Sequence, residues 1–323
     1  MKKVAVIGLG NIAGRHRHNL KLIFPKVELL VMSASGRIPK EYISDSDGIV
    51  TSIDKLIKAQ VELVIVASPA PFHALHSIPL IEAGIPTLIE KPVTTSVEDA
   101  KAITHAIALY QTPVSIGYCL RYLPSAQKLK CFLDQGSLGT VYNAHIEVGQ
   151  YLPDWRPKIN YRDSVSSQLK LGGGALFELS HELDYAQWLL GPLDVKHSIL
   201  RASEELALDV EDIADIVAVS ELGTVATIHL DLLQRKAHRK CSFVGSKGRI
   251  EWDLKLNELT LITATETSVI YSDAEWDKNQ MYLAMVADFI QMIDKNKHTC
   301  IKFSEAIRTV LLIDEIRQQQ IVY

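Results

Sequence analysis

Short apolar runs in the first third of the chain alternate with stretches of helical spacing. A continuous run such as Val61–Ala67 is typical of a strand that is covered on both faces. Strands that alternate with helices predict a doubly wound parallel sheet. The predicted strands are Val4–Ile7, Val27–Met32, Val61–Ala67, Pro86–Ile89 and Val114–Ile116, the predicted helices are Gly14–Ile23, Phe72–Ala83 and Glu98–Tyr110, and Ser33–Asp47 is predicted as a polar loop.

The pattern of predicted elements changes after Val141, where strand-like runs follow one another without helices between most of them. Such a series predicts a largely antiparallel sheet with one face covered by helices. We place the boundary near Gly117–Tyr122, which divides the chain into domains of residues 1–120 and 121–323. The chain closes with a predicted helix, Ser304–Gln318, capped by Ser304. The predicted strands of the second domain are Tyr142–Gly149, His197–Arg201, Ile213–Glu221, Val225–Leu232, Cys241–Val244 and Arg249–Trp252.

Composition limits the kind of partner. The 323 residues include 34 basic and 38 acidic side chains, and a net charge of −4 gives no electrostatic footprint for nucleic acid. The basic cluster Arg235–Lys240 is a local exception, which we interpret as a solvated strand edge or the rim of an anionic-ligand site. No apolar run approaches the length that spans a membrane.

The cysteines carry information through their spacing. Cys119, Cys131, Cys241 and Cys300 are scattered, without the close pairs of a metal site or a disulfide framework. We therefore predict no metal site and a reducing, cytoplasmic location.

A glycine-rich turn connects the first strand to the first helix. Gly8 permits a tight turn, and Gly10 lets backbone N–H groups approach a pyrophosphate. The helix N-terminus, at Asn11 and Ile12, then offers unpaired donors to phosphate. The same turn also occurs in α/β proteins that bind no nucleotide.

Ligands of open parallel sheets bind outside the carboxyl ends of the strands, which directs attention to the loops after Ile7, Met32, Ala67 and Ile89. Lys91 follows the last of these strands, and its ammonium is expected to project toward a bound ligand; an ordinary surface lysine is the alternative. The predicted cofactor-binding residues are Gly8, Gly10, Asn11, Ile12, Ser33, Ser35, Arg37, Ser68, Pro69, His73, Glu90 and Lys91.

The end of the second strand bears on which dinucleotide binds. Folds that prefer NAD place an acidic side chain here to accept the ribose hydroxyls, but Val31–Arg37 contains no carboxylate. Ser33, Ser35 and Arg37 instead suit a 2′-phosphate, because arginine supplies a forked donor set and serine adds neutral donors. The sequence favours NADP, with NAD as the alternative.

A second group of polar residues follows Gly172–Gly174. Glu178, His181 and Asp184 recur every three residues along a predicted helix, which places a carboxylate within reach of the histidine on either side. The alternative is a helix whose polar face is simply solvated and whose leucines form its buried stripe.

The ordered set GLGNIAGRH, EKPV and GGGALFELSHELDYAQWLLG resembles the Gfo/Idh/MocA family of sugar and polyol dehydrogenases across essentially the whole chain. The resemblance implies an N-terminal Rossmann domain and a C-terminal α/β domain whose large, open, mainly antiparallel sheet carries the substrate site and a homo-oligomer interface, in a dimer or tetramer. It also implies that Lys91 and His181 are the catalytic pair, with Asp184 near the substrate. Many relatives have Asp four residues before the histidine, where this chain has Phe177, so Glu178 is the nearest carboxylate.

The implied chemistry assigns a role to each member of the pair. His181 would act as general base in oxidation and general acid in reduction, and Lys91 would stabilise the developing alkoxide. The aromatic and basic loop Gln150–Arg162 suits a sugar that carries a carboxylate or phosphate; alternatively, its aromatic residues pack on the domain or on a partner subunit. The predicted substrate-binding residues are Lys91, Arg121, Trp155, Arg156, Tyr161, Glu178, His181 and Asp184.

The loop also resembles family members of bacterial surface-sugar pathways, which favours an acidic or nucleotide-linked sugar. Two other functions stay open, because similar folds serve different chemistry. One is a regulatory protein that senses a nucleotide without turnover. The other is a glycoside hydrolase in which the nicotinamide takes a hydride from the sugar and returns it.

Overall fold

The structure is a computed structural model that describes residues 1–157, 160–296 and 298–321. It forms two compact units. The first comprises Met1–Cys119 with Asn279–Val310, and the second comprises Leu120–Lys278 with the chain from Leu311 onward. The described helices are α1 (Asn11–Ile23), α2 (Ile53–Lys58), α3 (His73–Glu82), α4 (Val97–Tyr110), α5 (Pro124–Asp134), α6 (Ala175–Glu178), α7 (Ser180–Leu190), α8 (Gln280–Ile293) and α9 (Phe303–Gln318).

The first unit is built on a sheet in which all described strands are parallel. Its order, β3-β2-β1-β4-β5-β6, is that of a doubly wound dinucleotide-binding fold. The strand β4 is apolar and fully buried, and β1 and β2 are apolar and buried except at their first residues, as the continuous runs predicted. The strands are β1 (Lys3–Ile7), β2 (Glu28–Met32), β3 (Gly48–Val50), β4 (Val64–Val66), β5 (Thr87–Ile89) and β6 (Val114–Ile116).

The second unit contains a larger, mainly antiparallel sheet. Its order is β14-β13-β12-β11-β7-β10-β9-β8-β15, and only the β7–β10 and β8–β15 pairs are parallel among the described strands. The predicted fold class is therefore confirmed. The strands are β7 (Val141–Gly149), β8 (Leu193–Arg201), β9 (Ile213–Ser220), β10 (Val225–Asp231), β11 (His238–Gly245), β12 (Gly248–Asp253), β13 (Glu258–Ile262), β14 (Thr267–Ser272) and β15 (Gln320–Ile321).

The first unit also takes in residues 279–310, which the sequence-based division assigned to the second domain. The side-chain amides of Asn19 on α1 and Asn279 exchange two hydrogen bonds, of 3.2 and 2.8 Å. The hydroxyl of Ser115 donates to the carbonyl of Ile301 at 3.4 Å. These long-range contacts hold the late segment beside the first sheet, and a composition-based boundary gives no sign of them.

Several local predictions were wrong. Ser304 does not cap the closing helix, because α9 begins at Phe303 and Ser304 lies within it. Of the basic cluster, His238–Lys240 lie in β11, which is not an edge strand because it pairs with β7 on one side and β12 on the other. Lys240 there forms a 2.9 Å ion pair with Asp253. None of the described helices combines the length and apolar character needed to cross a bilayer.

Candidate functional site

The turn after β1 has the geometry of a phosphate-binding turn. Gly8 has φ +118°, and a Cβ there would lie 2.3 Å from the carbonyl oxygen of Ala67, so only glycine fits. Gly10, the N-cap of α1, is different, because a Cβ there would meet nothing within 4 Å. No side chain caps α1, and its first turn has no acidic residue. The first-turn N–H groups of Asn11 and Ile12 therefore suit an anionic ligand such as a pyrophosphate.

The turn after β2 presents the residues predicted to choose between cofactors. The buried Ser33 hydroxyl donates to the backbone carbonyl of Arg37 at 2.8 Å and closes the turn. Ser35 and Arg37 are exposed. Gly36 has φ +72°, and a Cβ there would lie 2.5 Å from the carbonyl oxygen of Thr51. The turn is thus held by the Ser33 hydroxyl and by close packing of Gly36 against the backbone of Thr51, and the Ser35 and Arg37 side chains remain at the surface.

A histidine that the sequence analysis did not consider braces this turn. His76 on α3 is 3% exposed, and its Nε2 lies 3.1 Å from the carbonyl oxygen of Ala34. Its Nδ1 lies 2.9 Å from the hydroxyl of Ser68, which follows β4. Burial lowers the pKa of His76 and favours the neutral ring. Ser68 therefore participates in holding the turn.

The side chain of His73 connects the loops that follow β4 and β5. It is fully buried at the start of α3, four residues after Pro69, with Nε2 2.8 Å from the carbonyl of Ser68 and Nδ1 3.0 Å from that of Pro92. Burial lowers its pKa as well. Its side chain faces backbone carbonyls, so the structure gives it a bracing position and not an exposed one.

Glu90 and Lys91 directly follow β5, at the same edge of the sheet as the glycine turn. Glu90 is buried, and its carboxylate lies 2.6 Å from Nε2 of His16 on α1. Lys91 is partly exposed. The structure thus gathers the predicted cofactor residues of the first unit around the carboxyl ends of β1, β2, β4 and β5.

In the second unit the glycine run leads to two helices and not one. Leu179, with φ −98° and ψ 25°, ends α6 after Glu178 and precedes α7. The prediction of one continuous helix was therefore wrong, and Glu178 does not share a helical face with His181 and Asp184. His181 lies in the first turn of α7, where it is partly exposed.

The glycines have a structural reason. A Cβ on Gly173 would lie 2.6 Å from the carbonyl oxygen of Val165, and one on Gly174 would lie 2.5 Å from the carboxylate of Glu211. Gly174 also has φ +103°. Burial raises the pKa of Glu211, which accepts the N–H of Leu176 at 3.2 Å. The close approach that the glycines allow is an approach to the chain's own loops.

Two arginines hold α7. Arg121 donates two hydrogen bonds, of 2.9 and 2.7 Å, to Asp184, and both side chains are buried. Arg239 of β11 donates two, of 2.6 and 2.9 Å, to the fully buried Glu182. Asp184 is therefore neutralised by Arg121. This role of Arg239 was not predicted, although the residue lies in the basic cluster.

Trp155, Arg156 and Tyr161 line one small cavity together with Leu152, Ser164 and Ser166. Its volume of about 10 Å³ leaves room for about one water molecule. The indole N–H of Trp155 donates to the carbonyl of Gln150 at 3.2 Å, and the Tyr161 hydroxyl donates to that of Leu206 at 3.2 Å. The loop is thus held by a hydrogen bond within it and by one to the backbone at Leu206. Lys158 and Ile159, within the predicted loop, lie outside the described residues.

Family models match both parts of the chain. The model described as "Oxidoreductase family, NAD-binding Rossmann fold" covers residues 2–118, and the "GFO/IDH/MocA C-terminal domain" covers residues 126–251. A similar curated protein is inositol 2-dehydrogenase 3 of Saccharopolyspora erythraea, at 28% identity over 204 residues. That alignment covers 62% of this chain and 56% of the relative, a little more than half its length.

Solved structures resemble the chain over nearly its whole length. A levoglucosan dehydrogenase in complex with NADH and levoglucosan has a TM-score of 0.86 at 18% identity and covers 98% of this chain and 96% of its own. The WlbA dehydrogenase of Bordetella pertussis, in complex with NADH and UDP-GlcNAcA, has a TM-score of 0.81 at 17% identity. The match covers 98% of this chain and 95% of the WlbA chain. These likenesses bear on the fold, and the two family models decide the membership. The chain belongs to the Gfo/Idh/MocA oxidoreductase family, with an NAD-binding Rossmann fold at its N-terminus.

Proposed function

We propose that this chain is a dehydrogenase that transfers a hydride between a nicotinamide dinucleotide and a hydroxyl or carbonyl carbon of a sugar, polyol or sugar derivative. The observation that carries the proposal is the position of Lys91 after β5, at the same sheet edge as the Gly8–Gly10 turn. Ligands of open parallel sheets bind at this edge, so a lysine there is suited to act beside the nicotinamide of a dinucleotide held at the glycine turn. Dehydrogenases of sugars and inositol among the similar proteins support the proposal.

The nicotinamide, when bound, supplies the hydride acceptor or donor. The protein must then move a proton at the oxygen of the reacting carbon. We assign that step to His181, as base in oxidation and acid in reduction. The ammonium of Lys91 stabilises the alkoxide as charge develops on that oxygen. These two roles, of His181 at the proton and of Lys91 at the alkoxide, are the central requirement of the proposal.

For the cofactor, the proposal is NADP in preference to NAD. Ser35 and Arg37 are exposed on the turn after β2, and no carboxylate lies between Val31 and Arg37. Arginine and serine donors are the groups that a 2′-phosphate needs. The NADH complexes among the similar structures keep NAD as the alternative.

For the substrate, we propose an acidic or nucleotide-linked sugar. A similar structure holds UDP-GlcNAcA and another holds levoglucosan, so the fold accepts sugars of both kinds. In this chain Arg156 is exposed beside Trp155, which suits an anionic sugar. Glu178 and His181 are partly exposed and suit sugar hydroxyls, whereas Arg121 and Asp184 act through their buried pair.

The proposal includes a homo-oligomer formed through the second sheet and a cytoplasmic location. One face of that sheet carries the exposed His145 and the partly exposed His197 and His229 around a depression of about 380 Å³. The four cysteines form no disulfide with one another in the structure, which agrees with a reducing compartment.

The test is a screen of polyols, uronic acids and nucleotide sugars with NAD and with NADP. A dehydrogenase produces a net change in absorbance at the reduced nicotinamide band, and this is the expected result. Release of sugar without a net change would instead identify the glycoside hydrolase. Binding of nucleotide and sugar without either reaction would identify the regulatory protein.

A further inference from the structure

A buried histidine, His16, contacts the buried carboxylate of Glu90, the residue that precedes Lys91. His16, on α1, is 0% exposed and the side chain of Glu90 is 7% exposed, with 2.6 Å between Nε2 and Oε1. The ring of Tyr282 packs edge-on against His16, with centroids 6.2 Å apart. The pair thus joins the helix of the phosphate-binding turn to the residue that precedes the proposed catalytic lysine.

The hydrogen bonds of His16 indicate which of its two ring nitrogens carries the proton. A carboxylate only accepts, so Nε2 of His16 must donate to Glu90. Nδ1 is buried and has no hydrogen-bonding partner among the residues that the structure describes. A buried N–H without an acceptor is costly, so this arrangement suits a ring with its proton on Nε2 and not on Nδ1. Such a ring is a fixed donor to Glu90.

The carboxylate of Glu90 is confined on its other sides. Its second oxygen, Oε2, accepts the backbone N–H of Lys91 at 3.1 Å. A Cβ on Gly117 would lie 2.8–2.9 Å from the carboxylate atoms, so glycine at that position leaves room for it. Each oxygen of Glu90 therefore has its own donor: His16 on one side and the backbone of Lys91 on the other.

From this geometry we infer that His16 is a positioning residue, which holds Glu90 so that Glu90 fixes the backbone from which the Lys91 side chain extends. The inference rests on the proposed function only for the consequence, namely that Lys91 acts on the substrate oxygen. Displacement of a reacting group by about 1 Å can cost on the order of 100-fold in rate. A defect at His16 should therefore lower kcat more than it raises KM for the nucleotide.

The experiment compares three substitutions at one position. His16→Leu removes the donor, His16→Gln places an amide N–H near the position of Nε2, and His16→Asn is polar but too short to reach Glu90. His18→Leu is the matched control, since His18 lies on the same helix with 58% of its side chain exposed. Thermal melting establishes that each variant is folded.

We expect kcat to fall about 10- to 100-fold in His16→Leu and His16→Asn. His16→Gln should recover most of the loss, and His18→Leu should match the wild type. Because leucine can disturb folding, the comparison between glutamine and asparagine decides the matter by itself. Equal kcat values in these two variants, or an unchanged kcat in a folded His16→Leu, would overturn the inference.

A second readout needs no turnover. The rate at which a lysine-selective acylating reagent modifies Lys91, measured by peptide mass spectrometry, reports the environment of that ammonium group. The acylation rate of Lys91 should change in His16→Leu and return to the wild-type value in His16→Gln. The acylation rate of the exposed Lys101 should be the same in all variants. A wild type that oxidises no sugar would refute the proposed function, and the labelling rates would still decide the role of His16.

Discussion

Arg121 and Asp184 form a fork-to-fork pair, in which Nε and Nη2 donate to the two carboxylate oxygens at 2.9 and 2.7 Å. Only 8% of the arginine side chain and 2% of the aspartate side chain are exposed. The pair ties the start of the second unit to α7, the helix that carries His181. A buried pair of this kind is costly to break, because the remaining charge loses its partner without regaining water.

We therefore expect Arg121→Leu to lower the free energy of unfolding by about 3–5 kcal/mol. Arg121→Lys should recover only part of this, because lysine cannot donate in two parallel directions. Urea unfolding measures both changes. The control is Lys196→Ala, which removes an ion pair to Asp194 with side chains 52% and 65% exposed and should cost less than about 1 kcal/mol. Equal losses in Arg121→Leu and Lys196→Ala would contradict the assignment.

The proposed catalytic pair makes a kinetic prediction. Lys91→Met and His181→Ala should each lower kcat about 10²–10⁴-fold. The first removes the cation that stabilises the alkoxide, and the second removes the group that moves the proton. Both variants should still bind the reduced nucleotide, as followed by its fluorescence. The matched controls, Lys101→Met and His105→Ala, change exposed residues of α4 and should leave kcat unchanged. Full turnover in either site variant would remove that residue from the mechanism.

The glycine turn separates folding from binding. Gly8→Ala should destabilise the fold, since positive φ alone costs about 1–2 kcal/mol and the added methyl would meet the Ala67 carbonyl. Gly10→Ala should melt like the wild type yet bind nucleotide weakly, because its methyl enters open space at the N-terminus of α1. Gly84→Ala, at φ +72° with open space around it, isolates the cost of the backbone conformation. Unweakened nucleotide binding by Gly10→Ala would argue against a pyrophosphate at this turn.

The cofactor proposal predicts a change confined to one nucleotide. Arg37→Ala should raise KM for NADP about 10- to 100-fold, which corresponds to the loss of a hydrogen bond to a charged group. KM for NAD should stay within about twofold, since NAD lacks the 2′-phosphate. Steady-state kinetics with both nucleotides measure the two values in one preparation. A preference for NAD in the wild type that survives in Arg37→Ala would defeat the assignment to NADP.

His229 makes stability depend on pH. It lies 3.1 Å from Asp231 and 2.6 Å from Asp215, and the hydrogen bond to Asp231, with help from Asp215, raises its pKa to about 9. The unfolded value is about 6.5. The folded state therefore binds the proton more tightly, and this stabilisation is complete below pH about 6.5 and disappears as the pH rises through about 9.

Urea unfolding of the wild type and His229→Gln across this pH range provides the test. The difference in unfolding free energy between the two should shrink steadily between pH about 6.5 and about 9. His105→Gln, which changes an exposed histidine on α4, should run parallel to the wild type. A constant difference between wild type and His229→Gln would show that the ion pairs of His229 do not contribute in solution.

Much of the local structure could be predicted because its causes are local. Continuous apolar runs predicted the buried strands of the first sheet. Gly84, with φ +72°, follows the C-cap of α3 and ends this helix as predicted. One element that escaped prediction is β3, whose three residues include the exposed Ile49. A strand of that length has too few residues to show a period.

The amino-acid sequence by itself determined the doubly wound sheet, the turn at Gly8 and Gly10, and the positions of Lys91 and His181 along the chain, because each depends on neighbouring residues. Tertiary structure alone decided that His16 meets Glu90, that Arg121 meets Asp184, and that residues 279–310 join the first unit. These pairings bring together residues far apart in sequence, where periodicity carries no signal. They are selected because a buried charge or polar group must find a partner within the fold.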